Sequence, residues 1–305
     1  MIYDVIVIGS GPAGMTAGIY AKRAGMEALI LEGSFVKGGQ IVDTQEIDNY
    51  PGLPGISGAE LAEKIKEHLA RQGVEIKRGK VTNISLQDDV KVIHTKKADY
   101  YAKTVVLASG AVHRKLEVPG EEEFSGSGVS YCATCDGAFF EGKTVAVVGG
   151  GDVAVEDALL LSGICEKVYV IHRRDELRAA KVLQDALKKA PNVEFCWNRT
   201  VTKIGGESQV QWMETQHTHT GVKENRNVDG VFVAVGTIPD TAYVKNIVNV
   251  DASGYIIAGE DGKTNIPGIY AAGDVRTKAL RQIITAAADG ANCINSAEAY
   301  LRSFC

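Results

Sequence analysis

The sequence predicts an α/β protein of two Rossmann-like dinucleotide-binding domains, three-layer ββα in type, the second inserted into the first. Three observations carry that expectation. An apolar run opening onto a glycine-rich turn occurs twice: Val5–Ile8 before Gly9-Ser10-Gly11-Pro12-Ala13-Gly14, and Val145–Val148 before Gly149-Gly150-Gly151-Asp152-Val153-Ala154. Each turn leads into a helical stretch and a second apolar run, Ala28–Leu31 and Val168–Ile171, which is the βαβ order of a nucleotide-binding unit. A late run, Ile269–Asp274 (IYAAGD), reads as a parallel strand that returns to the first domain after the second has ended.

The bulk properties agree. A chain of 305 residues suits about two domains. With 45% hydrophobic and 23% charged residues it can bury two ordinary cores. A net charge of -5 supplies no attraction for nucleic acid or an anionic membrane. No stretch reaches the ~18 apolar residues of a membrane span, and no basic region precedes the first apolar run. A cytoplasmic protein is therefore expected.

The elements follow in order. Ser57-Gly58-Ala59-Glu60 is a capping box, so a helix is expected from there to about Gln72, stopped by Gly73. The alternating runs Glu75–Lys80, Val81–Leu86 and Val90–His94 predict a small antiparallel sheet. Thr104–Ala108 (TVVLA) reads as a buried parallel strand. Pro119-Gly120-Glu121-Glu122-Glu123 is a polar, turn-rich linker. After the second βαβ unit, segments near Thr200–Met213 and Val231–Val235 predict another meander. The chain leaves the second domain near Pro239–Asn246. The first domain then covers 1–116 and 246–305, the second 117–245, and their two connections can act as a hinge.

The two turns differ in what they suit. At both, glycines let the backbone approach a pyrophosphate, and the helix N-terminus offers unpaired N–H groups. The first unit's second strand ends in Glu32. A carboxylate there accepts hydrogen bonds from a ribose diol and repels a 2′-phosphate, which suits FAD or NAD. The second unit's strand ends in His172-Arg173-Arg174, with Arg178 one turn on. Guanidinium groups bind phosphate through charge-assisted, bidentate bonds, which favours NADPH over NADH.

Cys132-Ala133-Thr134-Cys135-Asp136-Gly137 lies shortly before the second turn. A structural zinc site needs four ligands, and Cys165, Cys196, Cys293 and Cys305 are isolated, with no histidine pair at finger spacing. No metal is expected. A redox disulfide fits better, since i,i+3 at a helix start permits the bond and the helix N-terminus activates the thiol. Asp136 is placed to donate and accept a proton, or to act as a helix cap. Cys165 and Cys196 read as small hydrophobes, and Cys305 as a frayed terminus.

GSGPAG, GGQ (Gly38–Gln40), DNYPG (Asp48–Gly52), CATCDG, GGGDVAVEDA, HRRDELRA and AAGDV with RQIITAAADGA together resemble the low-molecular-weight thioredoxin reductases. The motifs stand in that family's order from residue 9 to about 291. The resemblance implies that Gly9, Gly11, Gly14, Glu32, Gly39, Gln40, Asn49, Asp274, Arg281 and Gln282 contact FAD. It likewise assigns Gly149, Gly151, Asp152, Ala154, Arg173, Arg174 and Arg178 to NADPH. Cys135 would face the flavin, Cys132 would attack the disulfide of thioredoxin, and Asp136 would be the active-site acid. The family is homodimeric and rotates its NADPH domain between two states. Val153 departs from the pattern, because a small hydroxyl residue is common at that position. Two alternatives stay open: reduction of another small dithiol protein, and a flavin-bound redox sensor without turnover.

Overall fold

The structure, a computed structural model, describes residues 1–44, 47 and 49–303. Asp48 of the DNYPG run and Cys305 lie outside the described residues. Two compact units emerge, Met1–Val112 with Ile238–Cys305, and His113–Thr237.

The first unit opens with β1 (Ile2–Ile8), α1 (Pro12–Arg23) and β2 (Ala28–Glu32). β1 and β2 are parallel, with Val5 opposite Ala28. Val5, Ile6 and Val7 have no exposed surface, as expected of a parallel sheet covered on both faces. Burying each such side chain stabilises the unit by roughly 1.5–3 kcal/mol. α2 (Gly58–Arg71) begins at Ser57, whose Oγ accepts the Glu60 N–H at 3.2 Å. A cap of this kind contributes about 1 kcal/mol.

α2 delivers the chain to β3 (Glu75–Arg78), which runs parallel to β2 with Leu29 opposite Glu75. This corrects the expectation that the antiparallel sheet starts at Glu75. β3 lies at the edge of the parallel sheet, with Glu75 and Arg78 exposed and Ile76 and Lys77 half-buried between them. β4 (Val81–Gln87) and β5 (Val90–Thr95) do pair antiparallel, and β5 pairs with β6 (Asp99–Leu107) in the same way. β6 joins the layers. One edge runs along β1, and the other takes β5 over its first residues.

β7 (Ala111–His113) leads into the second unit. There follow β8 (Val129–Ser130), α3 (Ala133–Asp136), β9 (Thr144–Gly149), α4 (Asp152–Ser162), β10 (Lys167–His172), α5 (Lys181–Leu187) and β11 (Val193–Trp197). β12 (Arg199–Gly206), β13 (Val210–His217), β14 (Lys223–Asn227) and β15 (Gly230–Ala234) complete it. The parallel sheet has the order β11-β10-β9-β15-β8, and β12-β13-β14 form an antiparallel sheet. β15 therefore belongs not to a meander, as expected, but to the parallel sheet beside β9, with Val231 opposite Ala146. Its run Gly230–Val233 is buried throughout, so it shows no alternation to classify it. The meander's third strand is instead β14, whose polar sequence KENRN carries no apolar signal.

β16 (Thr237–Pro239) pairs with β7, and the chain then returns to the first unit. The division falls earlier than 116/117 and 245/246 at both crossings. Leu116 and Val118 pack with Phe124 and Ile204 in the second unit's core, whereas Val244 and Val248 are buried in the first. β17 (Ile269–Ala271) lies parallel to β6, with Ile269 opposite Val105. α6 (Ile283–Arg302) packs on α1 so closely that a Cβ at Gly290 would lie 2.2 Å from the Ala13 carbonyl oxygen.

Candidate functional site: two nucleotide turns and a disulfide

The first turn joins β1 to α1. Gly9 has φ +105, and a Cβ there would lie 2.2 Å from the Ala108 carbonyl oxygen. Only glycine satisfies both conditions. Gly14 is needed for packing, since its Cβ would meet the Gly9 carbonyl oxygen at 1.9 Å. Gly11 is different. Its φ of -72 and ψ of -177 suit any residue, and a Cβ would find no neighbour closer than 3.8 Å. Neither the backbone nor the packing explains glycine here, since a Cβ would make only ordinary contacts with Gly38 and Gly39; close approach of a pyrophosphate to the turn would explain it.

The other predicted residues of this unit gather around the turn. Glu32 accepts the Ser10 N–H at 2.8 Å, the Ser10 hydroxyl at 2.7 Å and the Ser34 N–H at 2.7 Å. The Gly38 N–H donates to the Ser10 carbonyl at 3.1 Å, and a Cβ on Gly39 would lie 3.1 Å from the Gly11 Cα. Gln40 follows in an exposed turn. Asn49 donates through Nδ2 to Gln282 Oε1 at 3.0 Å, which joins two predicted residues distant in sequence.

Asp274 sits in the short turn Gly273–Val275 after β17, close to the start of α1, because a Cβ on Gly273 would lie 3.0 Å from the Ala13 Cβ. Its Oδ1 is buried with no partner, as is Nε of Arg281. Burial pushes the Asp274 carboxyl above its ordinary value, against the pull of Lys278 and Arg281. A buried acceptor without a donor is costly unless a ligand supplies one. Hydroxyl groups of a flavin ribityl chain are such donors.

The second turn repeats the device. Gly151 has φ -91 and ψ -178, nearly the conformation of Gly11, and a Cβ there would meet nothing within 4 Å. Gly149 would bring its Cβ within 2.4 Å of the Ala234 carbonyl oxygen, and Ala154 is fully buried beneath it. Asp152 accepts the Ala180 N–H at 2.7 Å, and the Arg178 N–H donates to the Gly150 carbonyl at 2.7 Å. Arg173, Arg174 and Arg178 are all exposed. Among the described residues none of these three makes an ion pair. His172 is buried beside the turn with Nε2 unpartnered. Burial, reinforced by Arg178, holds its imidazole below the ordinary value. Three unpaired guanidinium groups beside an open glycine fit a phosphorylated dinucleotide.

Cys132 and Cys135 form a disulfide with their Cα atoms 5.3 Å apart. Cys132 caps the one-turn α3, and its Sγ and carbonyl oxygen both receive the Cys135 N–H at 3.2 Å. Asp136 ends the same turn, and its Oδ2 accepts the Ser130 hydroxyl at 2.5 Å. Ser130 Oγ also receives the Cys132 N–H at 3.1 Å. Burial pushes the Asp136 carboxyl above its ordinary value, only partly offset by Ser130. A carboxyl that retains its proton more readily is suited to deliver one to a departing thiolate.

Several participants were not singled out from the sequence. Ser10 lies inside the first glycine turn, and Ser130 stands two residues before the CATCDG motif. Glu121, read as part of a polar linker, is 2% exposed and accepts the N–H groups of Leu116 and Glu117, both at 2.7 Å, and the Tyr131 hydroxyl at 3.0 Å. It thereby ties the entry segment to the residue preceding Cys132.

Residues 3–290 match the family described as pyridine nucleotide-disulphide oxidoreductase. The chain is 44% identical over 309 residues to a protein of Peptoclostridium acidaminophilum named thioredoxin reductase, covering 99% of this chain and 98% of the relative. It is 45% identical to a thioredoxin reductase of Listeria monocytogenes, with 98% and 94% covered. Its structure is similar to the crystal structure of thioredoxin reductase from Streptococcus pyogenes MGAS5005, with a TM-score of 0.94 at 47% identity and 99% of each chain covered.

Proposed function

Because the chain belongs to the pyridine nucleotide-disulphide oxidoreductase family, we propose that it is an NADPH-dependent thioredoxin reductase, an FAD flavoprotein acting through Cys132 and Cys135. The observation that carries the reading is the Cys132–Cys135 disulfide, bonded in the same unit as an arginine-flanked nucleotide turn. Full-length similarity to proteins named thioredoxin reductase supports it.

The first unit is then the FAD-binding domain, with Gly9, Gly11, Gly14, Glu32, Gly39, Gln40, Asn49, Asp274, Arg281 and Gln282 as its contacts. The second is the NADPH-binding domain, with Gly149, Gly151, Asp152, Ala154, Arg173, Arg174 and Arg178. FAD, when bound, supplies the relay by which an electron pair from NADPH reduces the disulfide. Two electrons and two protons convert Cys132–Cys135 to the dithiol. The Cys132 thiolate attacks the disulfide of thioredoxin and forms a mixed disulfide. Cys135 then attacks Cys132 Sγ, which releases reduced thioredoxin and recloses the pair. Asp136, held by Ser130, carries the proton that the departing thiolate takes. A cytoplasmic homodimer completes the reading and rests on the family resemblance.

The test follows NADPH oxidation by the purified flavoprotein with and without a thioredoxin, for the wild type and Cys135→Ser. Thioredoxin-dependent turnover that vanishes in the variant, with NADPH preferred over NADH, is expected. Bleaching of the flavin without thioredoxin reduction would point to another small dithiol protein or to a sensor. No bleaching by NADPH would overturn the donor assignment.

A further inference from the structure

A second chemical arrangement lies on the antiparallel part of the first unit, within the strands β4, β5 and β6. Ser85 Oγ is 2.8 Å from His94 Nε2, and His94 Nδ1 is 2.9 Å from Asp99 Oδ1. The strand register explains how they meet. His94 stands opposite Asp99 across β5 and β6, and opposite Asn83 across β4 and β5, which puts Ser85 diagonally beside it. Ile84 and Ile93, one position away, are buried in the core. Ser85, His94 and Asp99 therefore share the outward face.

The hydrogen bonds fix the tautomer. An ionised Asp99 can only accept, so Nδ1 of the neutral ring carries the proton and Nε2 presents its lone pair to the Ser85 hydroxyl. A nucleophile bonded to a base, and the base oriented by a carboxylate, is the signature of an activated hydroxyl. The dithiol chemistry makes no use of it.

We infer that Ser85 is an activated nucleophile that takes acyl groups from small activated esters. In the step, Ser85 Oγ attacks the ester carbonyl carbon and its proton passes to His94 Nε2. Asp99 holds the resulting imidazolium. The carbon–oxygen bond to the leaving group breaks, and the leaving phenolate takes the proton, so the products are acyl-Ser85 and the free phenol. An enclosed binding cavity is not required when the leaving group is good. A positioned general base contributes about 10²–10⁴-fold. Asp99 and His94 keep 47% and 32% of their side-chain surface exposed, where solvent weakens the pair, so the gain here is set at roughly tenfold, below that range.

The test treats the full-length FAD-loaded protein with p-nitrophenyl acetate and follows phenol release and intact mass. The acetylated residue is then mapped by peptide sequencing. One acetyl group at Ser85 is expected, absent in Ser85→Ala and formed about tenfold more slowly in His94→Gln and Asp99→Asn. Reductase turnover should be unchanged in all three. Acetylation confined to lysines or the N-terminus would overturn the inference. So would equal Ser85 acetylation in wild type and Asp99→Asn, a surface change that leaves the fold intact and so remains decisive if His94→Gln does not fold.

Discussion

Ser10 gives both of its donors to one oxygen of Glu32, the N–H at 2.8 Å and the hydroxyl at 2.7 Å. The corresponding pair in the second turn is Gly150 and His172, and they make no hydrogen bond. A Cβ on Gly150 would instead lie 2.3 Å from the His172 ring. The middle residue of each turn is thus matched to the residue ending the next strand, by bonding in one unit and by close packing in the other. Gly150→Ala should displace the ring and destabilise the second unit by about 1–3 kcal/mol, the usual cost of overpacking. Ser10→Ala keeps the backbone N–H bond but removes the hydroxyl's bond to the Glu32 carboxylate at a half-buried site, and should cost about 1.5 kcal/mol. Urea titration of each variant measures both, and a Gly150→Ala protein as stable as wild type would refute the packing argument.

Gly11 and Gly151 separate ligand binding from folding. Their backbone angles are ordinary, and a Cβ would make only ordinary contacts at Gly11 and none at Gly151. Alanine at either position should leave the thermal stability of the ligand-free protein unchanged, or raise it by about 0.4–1 kcal/mol through the unfolded chain. FAD affinity should fall in Gly11→Ala, and NADPH affinity in Gly151→Ala, each without affecting the other nucleotide. Flavin release and NADPH titration at fixed FAD report the two losses. A loss of stability without a loss of affinity would assign these glycines to the fold alone.

The contrast explains what the sequence discloses. Gly9 and Gly149 were legible because a turn that approaches a ligand leaves a fixed glycine spacing between two apolar runs. Cys132 and Cys135 were legible because the disulfide is local. β14 was not, since KENRN lies on a polar sheet with little to bury. β15 was misread because a strand buried on both faces shows no alternation. Glu121 was hidden for another reason. Three glutamate positions in a row, 121–123, look alike in sequence, and only the turn of the chain decides that the first points inward.

Glu121 should accordingly behave unlike its neighbours. Its carboxylate closes Leu116 and Glu117 onto Tyr131, while Glu117 adopts a left-handed φ of +59, a strained state that persists only where its surroundings enforce it. Glu121→Ala leaves two N–H donors and a hydroxyl without their acceptor at a part-buried site and should destabilise the second unit by about 1–3 kcal/mol. Glu122→Ala removes a side chain that is 88% exposed and makes only a surface ion pair with Lys115, so it should stay within about 0.5 kcal/mol of wild type. Equal effects of the two in a denaturant series would show that the buried carboxylate is not a fastener.

Asp289 performs the analogous task beneath Asp274. Its carboxylate accepts from the Gly273 N–H at 2.8 Å, from Arg276 Nε at 2.9 Å and Nη2 at 2.6 Å, and from Lys278 Nζ at 2.9 Å. The Arg276, Lys278 and Asp289 side chains are only 7%, 5% and 6% exposed. Asp289→Asn would leave two buried cations short of their anion and should cost about 3–5 kcal/mol. It should also weaken FAD binding more than NADPH binding, since the turn it pins carries Asp274. A variant that loses stability but keeps FAD affinity would break that connection.

Asp157 on α4 supplies the pH dependence. Burial, aided by the neighbouring Glu156, pushes its carboxyl up from 3.8 to about 7. The folded state therefore holds this proton more tightly than the unfolded chain. Its contribution is fully present below pH 3.8 and is lost as pH rises through about 7. At about 1.4 kcal/mol per pH unit, the loss is on the order of 2–4 kcal/mol. Asp157→Asn cannot ionise, so the second unit of that variant should lose less stability between pH 4 and pH 8 than wild type by roughly that amount. Urea midpoints for both proteins across the range provide the comparison. Parallel curves would mean that Asp157 ionises in the folded protein as readily as in water.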